Sequence, residues 1–116
     1  MATKRAVESK LRELIGRLDA AGEDVHDSLA ESLPDRRIIE VDVPDLETSF
    51  WTEMSGGRMG KLHPGAPPSA DIRIRVDSDH LVSLIDGKRS LFSSYLGGQV
   101  KIEASFGDLL RLRKLA

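Results

Sequence analysis

Cysteine is absent from the 116 residues, which excludes disulfide bonds, thiol nucleophiles and thiolate metal ligands together. Aromatic side chains are also few, with one tryptophan, one tyrosine and three phenylalanines. Nucleic-acid-binding domains usually combine a basic face with aromatic side chains, whereas this chain has a net charge of −2. We therefore predict that nucleic acids are not among its partners.

Long apolar runs are missing as well. No run of about 18 apolar residues occurs, so the sequence predicts no membrane-spanning helix. Residues 1–5 lead into an amphipathic pattern instead of the apolar segment of a signal peptide. We therefore expect a cytoplasmic protein. A chain of 116 residues is long enough for one hydrophobic core, and we predict a single domain over residues 1–116.

Residues that carry chemistry are scattered along the chain. His26, His63 and His80 fall on separate predicted elements without metal-binding spacing, and we expect each of them at the surface. The glycine pairs at 56–57 and 97–98 lack the flanking residues of phosphate-binding loops. No nucleophile, base and orienting group come together in the sequence. We therefore predict a protein without a metal, a cofactor or catalytic residues.

Helical periodicity dominates the first third of the chain. Apolar residues spaced like one face of a helix predict a helix over residues 3–21, and Gly22 is its natural end. A second, shorter helix follows, with Val25, Leu29 and Leu33 on one face and Pro34 beyond its end. The apolar face of the first helix consists of Val7, Leu11, Leu14, Ile15 and Leu18.

Alternation of apolar and polar residues then indicates strands. Residues 37–43 place Ile39, Val41 and Val43 on one face, and residues 71–76 place Ile72, Ile74 and Val76 inward with both arginines outward. Residues 63–69 contain three prolines and are predicted to be a loop. Three further strands are predicted at 49–54, at 59–62 after a hairpin turn at 55–58, and at 99–103.

Three more helices complete the pattern. Ser78 is the expected N-cap of a helix that Gly87 ends, and a short helix is predicted over residues 90–96. Ser105 and Asp108 have the spacing of a capping box at the start of a terminal helix. The side chains expected on the buried side of that helix are Phe106, Leu109, Leu110 and Leu112. The order of elements predicts an α+β fold with one mostly antiparallel sheet.

The second half of the chain carries an ordered series of short motifs. They are an alternating strand led by Ala-Asp at 70–76, a helix ending in Gly-Lys at 81–88, a short aromatic helix ending in Gly at 95–98, a strand of the Lys-hydrophobic kind at 99–102, and a hydrophobic-Gly helix start at 106–110. In this order and without gaps, residues 70–112 resemble the sterol carrier protein type-two family of lipid-binding domains. Ser90-Leu91 and Glu103-Ala104 depart from the family's usual Asn-Pro and Lys-Gly.

The resemblance implies a five-stranded, mostly antiparallel sheet covered by helices, with an internal apolar tunnel between the two layers. It implies non-catalytic binding or transfer of a fatty acid, a sterol, an acyl-CoA or another lipid. Family members also occur in bacteria as modules attached to enzymes. The residues expected to line such a tunnel are apolar and adaptable in shape: Trp51, Met54, Met59, Leu84, Phe92, Tyr95, Leu96, Phe106 and Leu110.

Two other functions and one further partner stay open at the level of sequence. The chain could be an interaction module whose tunnel has closed, or an enzyme that uses Tyr95 or an aspartate on a small apolar substrate. The C-terminal segment carries Lys101, Arg111, Arg113 and Lys114, so it could touch an anionic membrane surface. The helix dipole also explains cations near a helix C-terminus, and we favour this interpretation over membrane contact.

Overall fold

A computed structural model of the protein describes residues 2–32 and 36–115, which form five α-helices and six strands. Side chains are described for all of these residues except Ser32 and 112–115. The helices are α1 (Lys4–Ala20), α2 (Glu23–Ser32), α3 (Ser78–Ile85), α4 (Leu91–Leu96) and α5 (Phe106–Leu115). The strands are β1 (Arg37–Val43), β2 (Thr48–Ser55), β3 (Arg58–Met59), β4 (His63–Pro64), β5 (Ile72–Val76) and β6 (Val100–Glu103).

The strands form one sheet in the order β3-β2-β1-β5-β6, and β4 also pairs with β2. β1 and β5 run parallel, whereas every other described pair is antiparallel. The predicted α+β fold with a mostly antiparallel sheet is confirmed. Strand β4 lies in the segment predicted to be a loop. Its Pro64 is tolerated because an edge strand does not require every backbone N–H to bond within the sheet.

The register of the strands gives the sheet one apolar and one polar face. Ile39 of β1 is paired with Ile72 of β5, and Val41 with Ile74, so the predicted inward faces coincide. Successive side chains of a strand point to opposite sides, so the intervening charged residues share the other face. We call these the apolar face and the polar face. The polar face carries Glu40, Asp42, Arg73, Arg75 and Glu103.

Helices α1 and α3 cover one end of the apolar face, which we call the packed end. Val7 and Leu11 of α1 and Leu81 and Ile85 of α3 are buried there against the sheet. Half-buried side chains from the same two helices complete this cluster. The strands contribute the buried residues Val43, Phe50, Val76 and Val100. The packed end is therefore a conventional core of interdigitated helix and sheet side chains.

Helix α3 begins in a way that the sequence does not reveal. The predicted N-cap, Ser78, is wrong, because Asp77 holds that position and Ser78 is the first helical residue and fully buried. Asp45, from the turn after β1, accepts hydrogen bonds from the Ser78 backbone N–H at 2.9 Å and from its hydroxyl at 2.5 Å. The side chain that satisfies the helix terminus thus comes from a turn 33 residues earlier in the chain.

Candidate functional site

The apolar face differs at its other end, which we call the open end. Two buried side chains, Met54 of β2 and Ile72 of β5, form its centre. The buried and half-buried apolar residues of this cluster come from strands and from Ala104, and no described helix side chain is among them. We call its six larger members the apolar floor: Ile39, Met54, Met59, Ile72, Ile74 and Ile102. Four of them are only half-buried, namely Ile39, Met59, Ile74 and Ile102.

Helix α5 is attached at the open end by an ion pair. Arg37, the first residue of β1, donates from Nε to Asp108 at 2.9 Å and from Nη2 at 3.0 Å. The Asp108 side chain is 6% exposed. The Arg37 hydrogen bonds, helped by Arg111, hold the pKa of Asp108 below its ordinary value despite burial. The predicted capping role of Ser105 is confirmed, because its hydroxyl accepts from the Asp108 backbone N–H at 3.1 Å.

Helix α2 lies beside α5 and contacts strand β3. Its His26 is buried, and Nε2 lies 2.9 Å from the carbonyl oxygen of Leu18 in α1, so the predicted surface position was wrong for this histidine. Gly57, in the β2–β3 turn, has a φ of +80° and packs so closely on α2 that a Cβ there would overlap the His26 carbonyl oxygen. Polar and backbone contacts therefore fix both α2 and α5 in place.

The leucines of these two helices do not pack on the apolar floor. Leu29 of α2 and Leu109 of α5 are half-buried, yet neither is among the side chains that pack against Met54 and Ile72. Leu33, predicted on the apolar face of α2, and Pro34, predicted beyond the end of that helix, lie outside the described residues. The side chain of Leu112 in α5 lies outside them as well. Among the described side chains, neither helix thus contributes an apolar group to the floor.

Helix α4 is built with its apolar side outward. Its Ser94 is 5% exposed, and its hydroxyl donates to the Ser90 carbonyl oxygen at 2.7 Å. The Ser94 hydroxyl oxygen also lies 2.6 Å from Nε2 of His80 in α3. These two contacts hold the polar side of α4 against α3. The large apolar side chains of α4 are exposed instead: Leu91, Phe92, Tyr95 and Leu96.

The structure separates the nine residues predicted to line a tunnel. Met54 and Met59 lie in the apolar floor, and Leu84 packs at the packed end. Phe106 is 77% exposed and Leu110 is 45% exposed, so their predicted place on the buried side of α5 was wrong. Both face outward because Asp108 occupies the buried side of that helix. The remaining exposed members are Phe92, Tyr95 and Leu96 of α4.

Trp51 lies on the polar face of the sheet. It pairs with Glu40 in β1 and with His63 in β4, and its ring stacks on the imidazole of His63 with centroids 4.2 Å apart. Side chains alternate along β2, so Phe50 and Thr52 point to the helices and Trp51 points away from them. Trp51 therefore does not face the space between the sheet and the helices.

Ion pairs cover the rest of the polar face. Arg73 lies 3.0 Å from Glu40, and Arg75 lies 3.0 Å from Asp42. Glu103 is within 4 Å of both arginines. The two arginines of this face are thus paired with carboxylates of neighbouring strands, and Arg75 also lies opposite Lys101 of β6.

Alternation in the sequence places Ile39, Ile72 and Ile74 on the inward face, as the structure has them, but does not indicate that they form a separate cluster. The signal that was available is strand parity: Trp51 and Met54 are three residues apart in one strand and cannot share a face. The part of the chain that the structure describes contains no group of three His, Asp or Glu residues placed to bind a metal.

Comparison with known protein families gives one decisive match. Residues 11–116 match the SCP-2 sterol transfer family. The chain belongs to this family. The match confirms the resemblance seen in residues 70–112 and extends it over most of the chain. A search of curated protein sequences gave no match.

Solved structures of low sequence identity share the fold of this SCP-2 family chain. Sterol carrier protein 2-like 2 from Aedes aegypti is 10% identical, with a TM-score of 0.67 over 97% of this chain and 98% of that one. The ubiquinone synthesis protein UbiJ-SCP2 is 15% identical, with a TM-score of 0.66 over 97% and 94%. The sec-alkylsulfatase Pisa1 from Pseudomonas sp. is 18% identical, with a TM-score of 0.55 over 72% of this chain and only 13% of that one.

Membership of the SCP-2 family supports non-catalytic binding or transfer of an apolar lipid as the function of this chain. The same fold also forms a small part of an enzyme, because this chain spans only about 13% of the length of the sec-alkylsulfatase. No helix in the described part of the chain is long and apolar enough to cross a membrane.

Proposed function

We propose that this SCP-2 family protein binds the acyl chain of a fatty acid between the apolar floor and helices α2 and α5. The observation that carries the proposal is the contrast between floor and helices: the floor is apolar and half-buried, and Leu29 and Leu109 do not pack on its buried centre. A bound acyl chain would supply the apolar contacts that the described side chains do not.

Energetics support occupancy of this space over an empty one. A dry cavity of about 300 Å³ would cost roughly 7 kcal/mol at ~24 cal/mol per Å³. A domain has only about 5–15 kcal/mol of total stability. Each methylene group taken from water into such a site contributes about 0.8 kcal/mol. A fatty acid therefore stabilises the open end with the same kind of contact that already stabilises the packed end.

The choice of a fatty acid follows the shape of the floor and the printed description of one relative. The floor combines four isoleucines with two methionines, whose flexible side chains can adapt to an acyl chain. The Aedes aegypti protein has also been solved in a palmitated form, which matches this chain with a TM-score of 0.63 and 10% identity. Palmitate is thus a reasonable first probe.

The proposal assigns no catalytic step to this chain. Ser94 is buried with its hydroxyl bonded to the Ser90 carbonyl oxygen, and Tyr95 extends from the exposed side of α4. A protein that acts as a carrier needs neither a cofactor nor a metal for this role. Cytoplasmic location, a single domain over residues 1–116 and membrane contact through the C-terminal basic helix remain predictions; the side chains of Arg113 and Lys114 lie outside the described set.

Two adjacent isoleucines give a matched test. Ile39 and Ile38 are both half-buried in β1, but Ile39 belongs to the floor and Ile38 points to the polar face. In delipidated protein, Ile39→Thr should weaken palmitate binding about tenfold, because it places a hydroxyl group against the acyl chain. Ile38→Thr should leave the affinity within about twofold. Isothermal titration calorimetry measures both.

Thermal unfolding provides the accompanying control. A ligand that binds only the folded state raises the free energy of unfolding, by about 2.7 kcal/mol when its concentration is 100 times its Kd. The melting temperature rises with it. Wild type and Ile38→Thr should show the same rise with palmitate. A melting temperature that ignores fatty acids, or equal loss of affinity in both variants, would contradict binding at the floor.

A further inference from the structure

The outward apolar side of α4 stands beside two cations. Lys88 and Arg89 are exposed and directly precede the helix. No acidic residue occurs between Gly87 and Gly98. The helix itself exposes two leucines, a phenylalanine and a tyrosine. We call the following residues the α4 face: Lys88, Arg89, Leu91, Phe92, Tyr95 and Leu96.

We propose that the α4 face docks on an anionic lipid bilayer surface. Leucine and aromatic side chains enter the boundary between headgroups and acyl chains, and a tyrosine keeps its hydroxyl in the headgroup layer. Neighbouring lysine and arginine side chains are attracted to the negative leaflet. Residues 88–97 carry two cations and no acid, which suits an anionic surface. Asp45, Asp77 and Asp79 line a cleft with Arg89 and so lie beside one edge of the α4 face.

The amount of apolar surface favours a membrane over a second copy of the chain. Leu91 and Phe92 are 55% and 58% exposed, and Tyr95 and Leu96 are 43% and 68% exposed. At about 150–250 Å² per large side chain, these fractions leave roughly 400 Å² of apolar surface. A stable protein interface needs about 800 Å² from each partner, whereas a peripheral membrane contact works with a few inserted side chains and nearby cations.

The packing below α4 explains why its apolar side cannot simply turn inward. Ser94 is held by His80 from α3 and by the Ser90 carbonyl oxygen, at 2.6 Å and 2.7 Å. Ser90 also caps the helix by accepting from the Ser93 backbone N–H at 3.3 Å. Rotation of α4 would break the contacts of Ser94 with His80 and with the Ser90 carbonyl oxygen. The orientation of the helix is therefore fixed by polar contacts.

Vesicle sedimentation tests the proposal with delipidated protein and no added fatty acid. Wild type should bind phosphatidylcholine vesicles that contain phosphatidylserine, and salt should weaken this binding because it screens the cations. Lys88→Gln/Arg89→Gln should bind these vesicles at least tenfold more weakly, at about fivefold per cation. Phe92→Ser/Leu96→Ser should also lose at least about tenfold, through its lost apolar insertion.

Matched controls make the same changes elsewhere. Arg58→Gln/Lys61→Gln removes two exposed cations near β3 and β4, at the opposite edge of the sheet from β6, which α4 contacts. Val25→Ser removes an exposed apolar side chain from α2. Both controls should keep vesicle binding within about twofold of wild type. Equal losses in a control and its α4 counterpart would overturn the assignment of this face.

Docking is independent of fatty-acid binding at the floor, and the two can fail separately. The α4 variants should keep the rise in melting temperature that palmitate produces, while Ile39→Thr should keep vesicle binding. Analytical ultracentrifugation checks the alternative occupant. If wild type is a dimer that Phe92→Ser/Leu96→Ser converts to a monomer, or if wild type does not bind anionic vesicles, the membrane proposal is wrong.

Discussion

The two ends of the apolar face are covered by helices in different ways. At the packed end, Val7, Leu11, Leu81 and Ile85 of α1 and α3 are buried against the sheet. At the open end, α2 and α5 bury a histidine and an aspartate instead, and their described apolar side chains are half-buried or exposed. One sheet thus carries a core packed by helix side chains at one end and a cluster built mainly from strand residues at the other.

The difference shows that helices of a small domain can be held over a sheet either by apolar packing or by polar and backbone contacts. Packing at one end stabilises the fold, so the other end does not have to be filled by the protein's own side chains. Helices that are held by directional bonds keep their position without apolar packing underneath. The Arg37–Asp108 ion pair and the close approach of Gly57 to α2 serve this purpose at the open end.

Truncation of one leucine at each end should give the largest contrast. Leu11 is buried in α1, whereas Leu29 is half-buried in α2 without packing on either cluster. Leu11→Ala should lower the free energy of unfolding by about 3–4 kcal/mol and Leu29→Ala by about 1 kcal/mol or less. Urea denaturation of delipidated protein measures both. Equal losses would show that the open end is packed as tightly as the other.

Gly57→Ala probes how α2 is held. A methyl group at this position would overlap the His26 carbonyl oxygen, and the positive φ of Gly57 disfavours any side chain. The expected loss is about 3 kcal/mol in the free energy of unfolding. Gly56→Ala is the matched control, because Gly56 also has a positive φ of +60° but has open space where its Cβ would lie. A smaller loss for Gly57→Ala than for Gly56→Ala would contradict the close approach to α2.

The ion pair that holds α5 makes stability depend on pH in a defined direction. The Arg37 hydrogen bonds lower the pKa of Asp108 in the folded state. Its contribution is therefore fully present above the ordinary pKa of aspartate, about 3.9, and is lost as the pH falls through the lower folded-state value. Asp108→Asn should cost about 3 kcal/mol near neutral pH.

The pH profile separates this effect from a simple packing loss. The difference in unfolding free energy between wild type and Asp108→Asn should be constant above about pH 5 and shrink below about pH 4. Circular dichroism melts over this range measure it. A difference that stays constant down to the lowest accessible pH would show that the charge of Asp108 does not hold α5.

Replacement of Trp51 should have the smallest effect on ligand binding. Its ring stacks on His63 on the polar face, away from the floor. Trp51→Phe should leave palmitate affinity within about twofold, whereas Met59→Thr should weaken it by about fivefold to tenfold. Calorimetric titration compares the two. A large loss of affinity in Trp51→Phe would show that the ligand lies on the polar face and not on the floor.

The order of helices and strands could be predicted from the sequence because periodicity is a local property. The alternation in β1 and β5 placed Ile39 and Ile72 on the inward face, as the structure has them. Periodicity does not say which side of a short helix is buried. Residues 92 and 96 of α4 share a side whether that side faces the core or solvent, and the contact between Ser94 and His80 joins two helices that are separate in sequence.

Long-range polar contacts explain the remaining errors in the same way. Asp108 has the spacing of a capping residue, and nothing near it in the sequence indicates that Arg37, 71 residues earlier, draws its carboxylate inward. That ion pair turns Phe106 and Leu110 outward. Of the nine residues predicted to line a tunnel, only Met54 and Met59 therefore lie in the floor.

Methionine methyl NMR tests the central claim most directly. Met54 and Met59 are two of the three methionines in the chain, and both lie in the floor. With ¹³C-methyl-labelled methionine and palmitate, we expect intermolecular NOEs from the acyl chain to the methyl groups of Met54 and Met59. Tight binding of palmitate without NOEs or shift changes at Met54 and Met59 would contradict it.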